Sequence, residues 1–417
     1  MLTQHFSGRN LNRVKAHNLQ AILMSLLHEN QISRAGLAKR TSLSSATVTN
    51  LANELLAQGI ITEIKPQATE IERKRAVGRP RRMLRLVPNA RYALGVHIGV
   101  GLFRIALTNL HADIIDNRIV EFERATPAAE VLEKIALEIE DLLLEMAIDR
   151  SRILGIGVGA SGLVNHDQGI NVIAPRLGWN NIYIQAELQA RLGFPVRVDN
   201  NVRAMAIAEA FFGAGRGAGV LAFVYGRIGV GAGFVVNGQV FRGSGAGAGE
   251  IGHTIVVPQG GQECRCGQNG CLETLVTEPV IIRRSVELAQ QHPESLLAKY
   301  MENESAAAPS IETVFAAARD GDELTLKMLD DQICYLGIAL ANLVNVLNPG
   351  MILLGGVFAQ GDDLVRPIAS KVMRETAFSG LGDDVIIEPT SFGWRAGVVG
   401  AAALALMDFF YQTTETV

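Results

Sequence analysis

Ten consecutive residues, Cys264-Arg265-Cys266-Gly267-Gln268-Asn269-Gly270-Cys271-Leu272-Glu273, hold three of the four cysteines of this chain, and no other feature limits the fold as much. Thiolates are soft ligands, and three of them with one imidazole fill a tetrahedral Zn²⁺ shell, leaving no open position for a bound water. The imidazole is at hand in Glu250-Ile251-Gly252-His253, a short Gly-rich stretch upstream. The spacing therefore predicts a structural Zn²⁺ site made by His253, Cys264, Cys266 and Cys271. Cys264 and Cys266 are too close for an easy disulfide, and Met1 to Asn30 lacks the apolar core of a secretory signal, so a cytoplasmic protein is expected. That setting favours metal over disulfide, with a redox thiol cluster or plain buried cysteines as the competing readings. Folding around a metal would bring Glu250, Glu273 and the imidazole edge together. Cys334 reads as a small core residue.

With 417 residues, 48% of them hydrophobic, the chain has material for two to four domains. No apolar run reaches the ~18 residues of a membrane span, so no membrane insertion is expected. The net charge of −4 hides an asymmetry: residues 1–91 carry +10 and residues 92–417 carry −14. A basic head on an acidic body is the pattern of a separate nucleic-acid-binding module.

In the head, Val14, Leu19, Ile22, Leu23, Leu26 and Leu27 recur at helical spacing over Leu11–Glu29. Ser33 is placed to cap a short helix, Arg34–Arg40, and a turn at Thr41–Ser44 precedes a third helix from Ser45 to Gln58. Two short helices joined this way form a helix-turn-helix, whose second helix enters the major groove N-terminus first. Candidate DNA contacts are Arg34, Ser44, Ser45, Thr47, Thr49 and Asn50. Ile60–Ile64 and Met83–Leu86 read as wing strands, and Arg73–Arg82 as the wing tip, with Arg79, Arg81 and Arg82 set to track phosphates or enter a narrow minor groove. A solvated basic loop, or a packing bundle, is the plainer alternative.

The body reads as α/β in two related halves. Buried strands are expected at Tyr92–Gly101, Phe103–Leu110 and Ile153–Gly159, and again at Val220–Tyr225, Gly229–Gly238 and Met351–Val357; long helices are expected at Ala128–Met146, at Asp331–Leu347 and from Gly397. Residues 1–90 are assigned to a winged helix-turn-helix, 91–205 to a first lobe, and 206–417 to a second lobe with the zinc site and an oligomerisation surface, its C-terminal helix free to return to the first lobe. Asn303–Ser310 reads as a local loop.

Glu250-Ile-Gly-His253, Cys264-x-Cys266-Gly-x-x-Gly-Cys271-Leu-Glu273, Leu343-Val-Asn345-x-x-Asn348-Pro349 and the Gly355-Gly356 strand together resemble the ROK family of sugar kinases and sugar-responsive repressors. The resemblance covers residues 92 to 410, and the winged helix makes the chain similar to the repressor branch. It implies an actin-like, ribonuclease-H-like pair of lobes with sugar held by Glu250, His253, Glu273, Asn200 and Asn201, and with Ser161 and Gly162 where the family's Pro-Gly turn meets sugar. On the residues alone, Glu250 could be a surface carboxylate, Glu273 a support for the metal loop, and Asn200-Asn201 ordinary turn residues.

Family kinases read Glu-Asn-Asp-Ala-Asn, with the Asp as general base; this chain reads Asp199-Asn200-Asn201-Val202-Arg203, and an amide accepts no proton at ordinary pH. Asp199 falls two places too early for a step with tight positional tolerance. The phosphate strand Asp-Ile-Gly-Gly-Thr appears as His97-Ile98-Gly99-Val100-Gly101, and Ile228 stands where the second phosphate loop has a hydroxyl. The resemblance thus implies a non-enzymatic repressor of carbohydrate genes: a homodimer, or a dimer of dimers, on double-stranded operator DNA, with a sugar or sugar phosphate as effector. Xylose, glucose, N-acetylglucosamine or a phosphorylated form are the effectors the family suggests, and some relatives answer to a sugar-transport protein. A slow residual sugar kinase with an added DNA-binding head is the alternative; a zinc hydrolase is disfavoured by the filled metal shell.

Overall fold

A computed structural model describes residues 11–64, 82–245, 247–302 and 309–412. The head comprises α1 (Leu11–His28), β1 (Ile32–Ser33), α2 (Arg34–Thr41), α3 (Ser45–Ala57), β2 (Ile61–Ile64) and β3 (Met83–Leu86), with β3 antiparallel to both β1 and β2. Local chemistry sets the helix starts: Ser33 Oγ accepts from the Gly36 N–H at 3.0 Å, and Ser44 Oγ from the Thr47 N–H at 3.1 Å. Ser42, left-handed at φ 56°, ends α2. Residues 65–81, with Arg79 and Arg81, and residues 303–308 of the expected loop lie outside the described residues.

The first lobe follows with β4 (Tyr92–Ile98), β5 (Leu102–Asn109), β6 (Ile114–Glu121), α4 (Ala128–Glu145), β7 (Ile153–Ala160), the small sheet β8 (Leu163–Asn165), β9 (Ile170–Ala174) and β10 (Trp179–Ile182), then α5 (Ile184–Leu192) and β11 (Val196–Asn200). Helix α6 (Asn201–Phe212) crosses to the second lobe, so the boundary expected at 205/206 falls inside a helix. The second lobe contains β12 (Val220–Gly226), β13 (Val230–Val236), β14 (Gln239–Phe241), the cysteine loop, α7 (Glu278–Gln291), α8 (Leu296–Glu302), α9 (Ile311–Arg319), α10 (Glu323–Leu347), β15 (Met351–Gly356), α11 (Asp362–Thr376) and β16 (Ile386–Pro389). Helix α12 (Ala396–Leu406) runs on into a π-helical turn, Met407–Tyr411.

The main sheets run β6-β5-β4-β7-β11 and β14-β13-β12-β15-β16. In each, the first strand in sequence is central, two antiparallel strands extend one side and two parallel strands the other. The same topology twice is the two-lobe actin-like, ribonuclease-H-like fold. Two expectations need correction. Helix α10 begins at Glu323, not Asp331, because Asp322 caps it by accepting from the Thr325 N–H at 2.9 Å. Cys334 is half-buried on that helix, with its thiol on the Asp331 carbonyl, and is not a core residue.

Helix α12 returns to the first lobe and lies over β4 and β7. Every residue from Ala396 to Leu406 is buried. Gly393–Tyr411 is long and apolar enough to cross a bilayer, which a search for uninterrupted apolar runs misses because Arg395 and Asp408 break it; 72% of the span is buried inside the body, as a core helix should be. The approach is close because the strand lacks side chains beneath it. A Cβ at Gly157 would sit 1.9 Å from the Ala401 carbonyl oxygen, and one at Gly400 would sit 2.7 Å from the backbone of Ala204 and Met205 in α6. Beyond α12, Met407, Phe410 and Tyr411 join one apolar cluster with Leu19, Leu23 and Leu26 of α1, and the Tyr411 hydroxyl donates to the Leu110 carbonyl at 2.6 Å.

Gly157→Ala should therefore force α12 off the sheet and destabilise the body by about 1–3 kcal/mol, read as a drop of several degrees in thermal midpoint. Gly219→Ala, where an added methyl meets nothing within 4 Å, should leave the midpoint unchanged.

Candidate functional site

The cysteine loop folds back through isolated bridges, Ile255 with Cys271 and Glu263 with Asn269. These place His253, Cys264, Cys266 and Cys271 so that one ligand atom from each lies within 4.8 Å of the others. His253 Nδ1 is 3.6 Å from Cys264 Sγ, and Cys266 Sγ is 3.6 Å from Cys271 Sγ. Zn–S bonds of ~2.3 Å and a Zn–N bond of ~2.0 Å arranged tetrahedrally require edges of about 3.5–3.8 Å, so donor chemistry and spacing both fit the ion. Without metal, the Gln268 N–H to Cys266 already lowers that thiol to about 7.

His253 and Cys266 also form part of the wall of a cavity of about 340 Å³ between the lobes. Ser161, Gly162, Asn200, Asn201, Glu250 and Glu273, the remaining residues that the family resemblance assigns to sugar, line the same cavity. A more open depression of about 470 Å³ along Arg366–Arg374 includes none of them. Asn200 is largely occupied: its Oδ1 caps α6 by accepting from the Val202 and Arg203 N–H groups, and its Nδ2 donates to the Gly162 carbonyl at 2.9 Å. It thereby ties the helix to the Gly162 turn. Asn201 Nδ2 reaches the Ser161 hydroxyl at 3.5 Å. Gly162 has φ 96° and the Ile173 carbonyl 2.4 Å from where a Cβ would be, so no other residue fits this turn.

Glu273 Oε2 accepts from the Val230 N–H at 3.2 Å, and Oε1 from Arg176 Nη2 at 3.0 Å. Arg176, in the loop between β9 and β10, also donates to the Ile228 carbonyl at 2.8 Å; it joins the two lobes across the cavity and carries no sequence motif that would have singled it out. Glu250 opens to the cleft. Desolvation by the cleft walls pushes its carboxyl up, with His253 and Arg203 opposing and Glu273 adding to the rise.

Asp199, the other carboxylate near Asn201, is fully buried and turned out of the cavity. Arg203 Nε reaches its Oδ1 at 2.6 Å, and Arg242, from the second lobe, its Oδ2 at 2.9 Å. Burial alone would raise this carboxyl, but Arg203 and Arg242 outweigh it and hold it below the usual range. A carboxylate clamped this way is a poor proton acceptor.

In the head, Ser44, Ser45 and Asn50 are exposed at the start of α3, with Thr47 and Thr49 half-buried beside them. Arg34 is turned inward to the head itself: it donates to Asn53 Oδ1 and pairs with Glu63, each at 3.0 Å. Arg82 pairs with the same Glu63.

The sequence pattern that defines the ROK family matches residues 93–408. The chain belongs to the ROK family. It is 29% identical over 395 residues to a putative xylose repressor of Caldicellulosiruptor sp., covering 95% of this chain and 96% of that protein. It is 33% identical over 315 residues to a glucokinase of Halalkalibacterium halodurans, covering 75% of this chain and 94% of that one. The crystal structure of a ROK family transcriptional regulator, a homologue of the Escherichia coli MLC protein, superposes with a TM-score of 0.81 at 30% identity over 96% of this chain and 99% of its own. The glucokinase aligns with three quarters of the chain and the putative xylose repressor with nearly all of it, and the family pattern begins at residue 93, after the head.

Cys264→Ser removes one of three thiolates and leaves an incomplete shell. Bound zinc, measured by atomic emission on the purified protein, should fall from one per chain to well below half, and the thermal midpoint should fall with it; zinc content equal to the wild type would show the loop is not the metal site.

Proposed function

We propose that this ROK protein is a transcriptional repressor of carbohydrate genes whose kinase-like cleft binds a sugar or sugar phosphate without phosphorylating it. The observation that carries the reading is the cleft between the lobes: a wall of Glu250, His253 and Glu273 fixed by the cysteine loop faces Asn200 and Asn201, while Asp199 is buried in ion pairs and Asn201 occupies the position of the family's base. The two carboxylates that do face the cavity adjoin the metal ligands, on the wall expected to hold ring hydroxyls. A structural Zn²⁺ on His253, Cys264, Cys266 and Cys271 would hold this wall in place, and its filled shell supplies no Lewis-acid position for substrate.

DNA binding falls to α3, with Ser44, Ser45, Thr47, Thr49 and Asn50 at the groove and the basic segment containing Arg79 and Arg81 on phosphates. Two copies in the cytoplasm would present two such helices to the half-sites of a palindromic operator. The route from ligand to head runs through packed elements. Helix α6 begins at Asn201 and packs on α12 at Gly400, and the last turn of α12 packs on α1 of the head. A ligand that favours an arrangement of the lobes in which the two heads are mis-spaced weakens DNA binding, and by linkage DNA then disfavours that ligand.

The test uses the full chain and operator duplexes selected from genomic fragments that it retains. Titration with glucose, N-acetylglucosamine, xylose and the 6-phosphates of the first two should release DNA with at least one of them, and the same sugars with ATP and Mg²⁺ should show no turnover. Phosphorylation at about 1–100 s⁻¹, ordinary for kinases, would favour the sugar-kinase reading suggested by the glucokinase relative. Asn50→Ala should cost about 1–3 kcal/mol of specific binding while leaving the salt dependence intact.

A further inference from the structure

In the basic head, one carboxylate holds two of the cations assigned to DNA. Glu63 on β2 is the direct partner of the fully buried Leu84 on β3, so its side chain leaves the sheet on the face that packs against the helices. There it takes Arg34 Nη2, from the first residue of α2, at 3.0 Å, and also Arg82, from the residue before β3. The Glu63 side chain is 19% exposed. Glu29 and Glu54, the other carboxylates among the described residues of the head, pair with Arg40 and Lys15 and are 43% and 48% exposed, so Glu63 is the one least screened by water.

The same Nη2 of Arg34 donates to Asn53 Oδ1 at 3.0 Å. Asn53 is exposed on α3, three residues after Asn50 and four after Thr49, so it shares the helix face assigned to the groove. Carboxylate, guanidinium groups and amide thus join α2, α3 and the wing strands on the DNA side of the head. Two features make this a holding position. Arg34 Nε is buried with no hydrogen-bond partner, a cost that another placement of the guanidinium removes. The Glu63 charge also repels approaching phosphates, whereas the two cations it holds attract them.

We propose that Glu63 stands in for a DNA phosphate in the free head, holding Arg34 and Arg82 until backbone phosphates take them, and that the departure of Arg34 frees Asn53 to read a base edge. A guanidinium fork meets carboxylate and phosphate oxygens with the same N–H geometry, so the exchange preserves the hydrogen bonds of both arginines. It leaves Glu63 without their charge, which costs affinity on any DNA. On operator the released Asn53 amide finds a partner in the groove, adenine N6 and N7 being the pair that fits it. On random sequence Arg34 stays with Asn53 or leaves it unpaired. The competition holds the affinity of a strongly basic head down, so that a modest coupling to the ligand suffices to release DNA.

This inference rests on the assignment of DNA binding to the head. Fluorescence anisotropy of the full chain would compare the selected operator duplex with a random duplex of equal length over a range of salt. Glu63→Gln, which removes the charge and keeps the shape, should bind both duplexes about three- to tenfold tighter near 0.1 M salt, with a salt slope steeper by about one. That gain should shrink in an Arg34→Gln background, because the charge then has one cation fewer to compete for. Asn53→Ala should weaken operator binding by about tenfold and leave random DNA unchanged. A carboxylate that only braces the wing predicts the reverse for Glu63→Gln: weaker binding to both duplexes and a lower thermal midpoint. That result, an unchanged affinity and slope, or an Asn53→Ala variant that treats the two duplexes alike would each overturn the proposal while the DNA-binding reading stands. If the wild-type chain retains no duplex at all, both fall.

Discussion

Helix α12 lies against the bare backbone of β7, so close that a methyl group at Gly157 would overlap the Ala401 carbonyl, and the arrangement of the other parts follows from that contact. The helix comes from the end of the chain yet covers the sheet of the first lobe, which locks the second lobe's C-terminus onto the first. Its other side meets α6 at Gly400, and Gly397 sits under the His97 ring. The π-helical turn that follows it joins the apolar core of the head. This helix, with the turn that follows it, thus touches the helix that starts at Asn201, the imidazole at the far end of the cleft and the first helix of the head.

The electrostatics of the cleft are arranged around the same frame. Carboxylates gather where the cysteine loop fixes them, and cations gather at the opposite end. Between the two ends Asp199 is withdrawn into ion pairs with Arg203 of its own lobe and Arg242 of the other. Removing Asp199 would leave the buried Arg203 without its carboxylate, a loss of about 3–5 kcal/mol in typical cases. Asp199, next in sequence to Asn200, therefore ties the two lobes together through Arg242. Arg176 makes the second such tie, through Glu273.

Much of the head and of the metal loop was legible because their chemistry is local. Ser33 and Ser44 accept from the N–H groups three residues on, and the four clustered donors His253, Cys264, Cys266 and Cys271 fall within a span of nineteen residues, so spacing alone constrains them. The repeated strand pattern exposed two halves, and the topology is the same in both. The small sheet β8–β10 went unread, since its strands are three to five residues long and carry little periodic signal. Arg176 went unread with it: its partner Glu273 is 97 residues away, and nothing about an arginine after a proline names that partner.

By itself the sequence determined that one histidine and three cysteines fall close together, that the head is basic with two short capped helices, and that position 201 carries an amide and not an acid, because each is a matter of which side chains are present and how few residues separate them. Only the tertiary structure decided that Asp199 is sequestered from the cleft, that Arg34 braces the head through Asn53 and Glu63, and that His97, Arg104 and Arg227 converge at one end of a cavity. Those outcomes depend on strand register and on the meeting of two lobes, where a side chain's charge takes its meaning from neighbours brought in from far along the chain and from how much water the contact excludes.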